Sequence, residues 1–194
     1  SLSAEARANR KLRNVTLGYL AASHGEDAAD IAYDQYRTAN NMTAKQGALG
    51  VLSHMDTSER ALAFDSFFKR FKDNALVLDK WFMLQAMSQR SDTLKRVQGL
   101  ARHPDFTLSN PNRVRALYGA FTNNQAHFHD LSGRGYNWVA DMVIELDKQN
   151  PQTAARFIPP LGRWRRYERV RSELMRSALE SIAAQSELSK DVAE

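Results

Sequence analysis

Thr57–Ser88 reads TSERALAFDSFFKRFKDNALVLDKWFMLQAMS. Its apolar residues recur at three- and four-residue spacing: Leu62, Phe64, Phe67, Phe68 and Phe71 in the first half, then Leu76, Val77, Leu78, Trp81, Phe82, Leu84 and Met87. That is the period of a helix, not the alternation of a half-buried strand. Thr57 or Ser58 predicts the start of the first helix, since a hydroxyl can accept a backbone N–H from an open first turn. The broad apolar face of this helix suits a central position. Over about Ala75 to Ser88 the second helix is apolar nearly all round, which predicts burial between others.

The same period extends in both directions. Residues 4 to 21 read as a helix with Leu12, Val15, Leu17 and Leu20 leaning one way and Arg7, Arg10 and Lys11 the other, closed by His24-Gly25. A second helix offers Ile31, Tyr33 and Tyr36 for burial, and Thr43 is expected to cap a third that runs to about His54. Towards the C-terminus a short helix over about Thr93 to Ala101 leads into an irregular stretch, His103 to Asn110. Asn110-Pro111 and Asn150-Pro151 each open a helix: asparagine suits the cap, and proline loses no hydrogen bond at the first helical position. Further helices are predicted from about Tyr136 to Lys148 and from about Arg165 to Gln185. About ten or eleven short helices with tight connections predict an all-α fold, a superhelical stack of antiparallel helix pairs of the α-solenoid kind; there is no strict sequence repeat, and a compact globule is the alternative. Residues 1–186 are expected to form a single helical domain and the acidic 187–194 a frayed tail.

Composition bounds the function. The chain has 194 residues, 43% of them hydrophobic, enough for a sizeable core and too many for disorder over most of the length. With no cysteine, a disulfide scaffold, a thiolate metal site and a cysteine nucleophile are excluded. The same lack of cysteine makes a cytoplasmic setting the expectation, and no apolar run reaches the roughly 18 residues needed to cross a bilayer, so no membrane partner is expected. The first residue is Ser1 and helix begins almost at once, so the chain is expected to be a piece of something longer.

Chemistry-bearing motifs are sparse. His127 and His129 are close in sequence, yet residues two apart on a helix point about 200° away from each other, and no His-Glu-x-x-His is present. Neither glycine-rich phosphate loop occurs, so no catalytic residue, metal ligand or cofactor site is expected in this chain. The net charge of +5 is concentrated in the run Arg163, Arg165, Arg166, Arg169, Arg171 and Arg176, interleaved with Trp164 and Tyr167. Such a helix could serve a stand-alone binding module that recognises nucleic acid or an acidic partner. Glu168 and Glu173 stand at pairing distance from these arginines, which favours a solvated face instead. Arg115, Gln152 and Arg156 lie off the core stripes of the two helices opened by Asn-Pro, and periodicity alone makes them ordinary surface residues.

Taken in order, Asn41-Met42-Thr43, Leu78-Asp79-Lys80-Trp81-Phe82, the stretch from Phe106 to Arg115, Gly135-Tyr136, Asn150-Pro151-Gln152 and Arg166-Tyr167 carry a resemblance. The chain resembles the C-terminal helical domain of the bacterial aminopeptidase N family of zinc metallopeptidases, over nearly its whole length. The resemblance implies that zinc, its ligands and the motif binding the substrate amine lie in a preceding catalytic domain of the same polypeptide. It implies that this piece caps that domain, encloses the cavity above the zinc and meets peptide substrates. Arg115 and Arg156 match family positions that project into the cavity, where they can meet a peptide carboxylate or backbone carbonyls, and Gln152, one turn before Arg156, can join them.

Overall fold

The computed structural model describes residues 3–23 and 25–193, so His24, expected to close the first helix, lies outside the described residues. Among these, every regular element is helical, and no helix is long and apolar enough to cross a membrane. The chain forms two compact units, Ser1–Arg90 and Ser91–Glu194, a finer division than the single domain over 1–186 read from the sequence.

The first unit holds α1 (Ala4–Ser23), α2 (Gly25–Thr38), α3 (Met42–Leu52), α4 (Ser58–Phe71) and α5 (Ala75–Ala86). Helix α2 packs on α1, α3 and α4, and α4 passes the stack on to α5. Four of the starts have side-chain caps: Ser3 accepts the N–H of Ala6, Asn41 that of Ala44, Thr57 that of Arg60 and Asn74 that of Val77. Asn41 replaces the expected Thr43 because it holds the extended backbone a cap requires, whereas Thr43 is already helical. Phe64, Phe67 and Phe82 are buried as their spacing predicts, and the Trp81 indole donates to the Phe64 carbonyl at 3.0 Å.

Burial expectations give way on three helices. On α2, Ala28, Ala29 and Ala32 are buried with Tyr36 while Ile31 stays 46% exposed, because small side chains let the helix approach its neighbours closely. On α1 only Leu17 is buried; Leu12 and Val15 face outward, as does Leu76 on α5.

The second unit holds α6 (Thr93–Leu100), α7 (Pro111–Val114), a π turn (Arg115–Gly119), α8 (Ala120–Asn123), α9 (Gln125–Phe128), α10 (Arg134–Asp147), α11 (Pro151–Ala155), α12 (Ile158–Gly162), a 3-10 turn (Trp164–Arg166), α13 (Arg169–Ala183) and α14 (Lys190–Ala193). Helix α10 is its centre, burying Tyr136, Val139, Val143 and Leu146 and packing on α11 and α13. The long helix expected from Arg165 is interrupted. Tyr167 and Glu168 are extended, and the Glu168 carboxylate accepts the Arg171 N–H to start α13 afresh.

In the described part of the C-terminal segment, residues 187–193, two features stand out. Ser189 donates its backbone N–H and its hydroxyl to the buried Asp147 carboxylate, α14 packs on α11, and Val192 is buried.

Candidate functional site

Both Asn-Pro starts build one pocket. Asn110 accepts the N–H groups of Asn112 and Arg113, and Asn150 accepts that of Thr153, so each proline sits where its missing donor costs nothing. After Val114 the first of these helices loosens into the π turn. Such widened turns occur mostly as single insertions, frequently at functional sites. Here the Gly119 carbonyl accepts from the Thr122 hydroxyl at 2.9 Å and from the Asn123 amide at 2.7 Å. The stripe Val114, Leu117, Tyr118 and Phe121 is buried in the core, while Arg115, Gly119, Thr122 and Asn123 face a cavity of about 280 Å³.

The opposite wall comes from the second Asn-Pro helix and its C-terminal continuation. Helix α11 stops at Ala155, so Arg156 ends it, Phe157 precedes α12, and Arg163 comes directly after α12. All three line the same cavity together with Gln125, Phe128, His129, Pro160 and Tyr167. The lining has three guanidiniums and no carboxylate. Phe128 and Phe157 are buried and give the cavity an apolar floor. Arg115 is steadied by a hydrogen bond from Nη2 to the Asn112 side-chain oxygen.

Beneath the wall runs a short polar chain. The Tyr136 hydroxyl meets His129 Nδ1 at 2.8 Å, and the Tyr167 hydroxyl meets Nε2 at 2.8 Å. Arg171 Nε donates to the His129 carbonyl at 2.6 Å. Burial pushes the His129 imidazole below its usual range, and the Arg171 charge adds to this. Tyr136 is pushed up to about 12 by burial. A neutral imidazole suits these bonds, donating at one nitrogen and accepting at the other, with the two hydroxyls in the complementary roles.

Arg115 and Arg156 thus reach one pocket from two helices, and Gln152, exposed one turn earlier on α11, is not among the lining residues. Sequence reasoning missed His129 as a wall residue, Arg163 as a rim cation separate from the arginine run, and the π turn. Of that run, Arg169 pairs with Glu173, Arg171 with Glu168 and Arg176 with Glu180. Among the described residues no group of three or more His, Cys, Asp or Glu comes together to hold a metal ion. A second cavity, of about 610 Å³, lies in the first unit between α1 and α2, bordered by Leu12, Leu17, Leu20 and Ile31.

An ARM-repeat domain family of unknown function, DUF3458_C, matches residues 1–194. Aminopeptidase N of Caulobacter vibrioides is 44% identical over 196 residues, which cover 100% of this chain and 23% of that protein. Aminopeptidase N of Escherichia coli is 41% identical over 188 residues, 96% of this chain and 22% of that protein. A crystal structure of Legionella pneumophila aminopeptidase A in complex with aspartic acid matches with a TM-score of 0.90 at 35% identity, over 95% of this chain and 22% of that one. The chain therefore spans less than a quarter of the length of these relatives.

Proposed function

We propose, from the premise that this chain belongs to the DUF3458_C family of ARM-repeat domains, that it is the helical peptide-contacting domain of a zinc aminopeptidase of the aminopeptidase N type. Likeness to such enzymes along the whole chain supports the reading, and so does the small share of their length that it spans. The carrying observation is the cavity rimmed by Arg115, Arg156 and Arg163 with no carboxylate among its lining residues. Guanidinium offers a planar fork of donors that matches a carboxylate bidentately and also suits backbone carbonyls.

In this reading zinc, the residues that ligate it and the reacting groups belong to the rest of the polypeptide, and this domain supplies none of them. Gln152 extends the contact to the bound chain from one turn before Arg156. The freedom from cysteine accords with work in the cytoplasm.

Kinetics of the full-length enzyme test the proposal. Arg115→Ala and Arg156→Ala are each expected to raise KM for tetrapeptides about tenfold, the scale of a lost charge-assisted hydrogen bond, with kcat and metal content unchanged. A single-residue amide substrate, too short to reach the arginines, keeps its KM. Equal losses on both substrates would overturn the assignment.

A further inference from the structure

The chain leaves the first unit through Ser88, Gln89 and Arg90, and each is fastened in turn to the connection between α3 and α4. The Ser88 hydroxyl donates to the Ser53 carbonyl at 2.6 Å. The Gln89 backbone N–H donates to His54 Nδ1 at 3.1 Å. The Arg90 guanidinium donates to the Met55 carbonyl at 2.8 Å and pairs with Asp56. Residues 88, 89 and 90 thus run in register with 53, 54 and 55, always thirty-five positions apart. The two ends of this clasp differ. Ser53 and Ser88 are buried, and Arg60 Nε also reaches the Ser53 carbonyl, at 3.4 Å. His54, Asp56 and Gln89 are exposed, so one end is anchored and the other can open.

The middle bond fixes the charge state that closes it. A backbone N–H can only donate, so Nδ1 must offer its lone pair and the imidazole proton sits on Nε2. A second proton, on Nδ1, would set two N–H groups against each other. The surroundings do little for the new charge. Gly18, Ala21 and Ala22 of α1 and Gly47 and Gly50 of α3 line a cavity with His54, and none of them is charged. Asp56, the one carboxylate within the clasp, is already paired with Arg90. On α4, Arg60 has the same sign and Glu59 is bound to Ser58. Burial holds the imidazole below its usual range, in the same direction as this geometry.

We infer that residues 53–56 and 88–90 form an acid-released clasp: neutral His54 holds Gln89 and Arg90 down, and its protonation frees the chain leading out of the first unit while Ser88 stays anchored on Ser53. Arg90 lets go with Gln89 because it then faces an imidazolium of its own sign. Histidine is the side chain whose charge changes nearest neutrality, which suits it to this task. The clasp is closed at neutral pH and opens only below the ordinary imidazole range, since closure itself opposes protonation. The device belongs to the first unit and does not depend on the role proposed for the arginine-lined cavity of the second.

Amide hydrogen exchange of this chain by NMR, at pH 7.5 and at pH 5 and referenced each time to an unstructured peptide of the same sequence, reads the clasp directly. Protection of the Gln89 amide is expected to be about tenfold lower at pH 5, the scale of one lost hydrogen bond. The Phe67 and Phe82 amides, on buried residues of the same unit, are expected to keep theirs. In His54→Asn the side-chain oxygen can accept without titrating, so the acid effect is expected to vanish. In His54→Phe, which accepts nothing, Gln89 is expected to be unprotected at both pH values, and trypsin at pH 7.5 to cut after Arg90 faster than in the parent chain. Equal protection of Gln89 at both pH values overturns the inference, as does an acid effect that survives in His54→Asn. Loss of protection at Phe67 and Phe82 alongside Gln89 overturns it too, because release is then ordinary unfolding. An unchanged cut after Arg90 in His54→Phe overturns the part assigned to Arg90.

Discussion

The Tyr167 ring stacks on the His129 imidazole at 4.3 Å while its hydroxyl meets Nε2 at 2.8 Å, so one histidine is both packed and hydrogen-bonded against the pocket wall. Its other nitrogen is tied to Tyr136 on α10. The wall and the centre of the second unit are therefore joined through a single neutral ring.

Acid weakens that join. In the unfolded chain an imidazole titrates near about 6.5, whereas burial and Arg171 hold His129 lower in the folded one. Between those two values the unfolded state binds more protons, so stability falls as pH drops through that window and levels off below the folded value. His54, also lowered by burial, contributes in the same direction. Thermal unfolding from pH 7.5 down to 5 is expected to show a falling midpoint, and His129→Gln, which cannot titrate, to show a shallower fall. An unchanged slope would show that His129 does not drive it.

Gly133 is the one residue described with positive φ, at 68°, and a Cβ there would meet Leu174 Cδ2 at 2.9 Å. The turn into α10 needs this left-handed backbone. Gly133→Ala is expected to cost about 1–2 kcal/mol for the backbone, with more from displacing Leu174. Urea unfolding measures this, and a loss below about half a kcal/mol would count against the strain.

Asp147 is 5% exposed and accepts both the backbone N–H and the hydroxyl of Ser189. Hydrogen bonds to a charged group contribute about 1.5–3 kcal/mol, so Asp147→Ala is expected to lower stability by about that amount and to release α14. Trypsin cleavage after Lys190 should then outpace cleavage elsewhere. A variant cut at the same rate as the parent chain would show that the tail is held by Val192 alone.

The helical periods were plain in the sequence because core stripes repeat: Phe64 and Phe67, or Val114, Leu117, Tyr118 and Phe121, are buried where spacing put them. The two Asn-Pro starts were equally legible, since cap chemistry is local. Ile31 and Leu76 were misread because periodicity marks a face without saying whether a neighbour covers it. The break at Tyr167-Glu168 was hidden by continuous helix-forming residues, and Glu168 starts α13 from a side chain not favoured as a cap. Arg115 and Arg156 stood out only through family resemblance. Their shared cavity, and the presence of Arg163 and His129 in it, depends on chain paths that no local pattern encodes.

The π turn ties the pocket to the register of the helix that carries it. Arg115–Gly119 accommodates an extra residue inside a helix instead of in a loop. Removing one residue there restores an ordinary ladder and swings the N-terminal half of the helix by about 100° relative to its C-terminal half. The core stripe after the turn keeps its place while Arg115 leaves the rim. Val114 and Arg113, buried on the half that swings, would leave the core with it, so one inserted residue sets the packing and the pocket together.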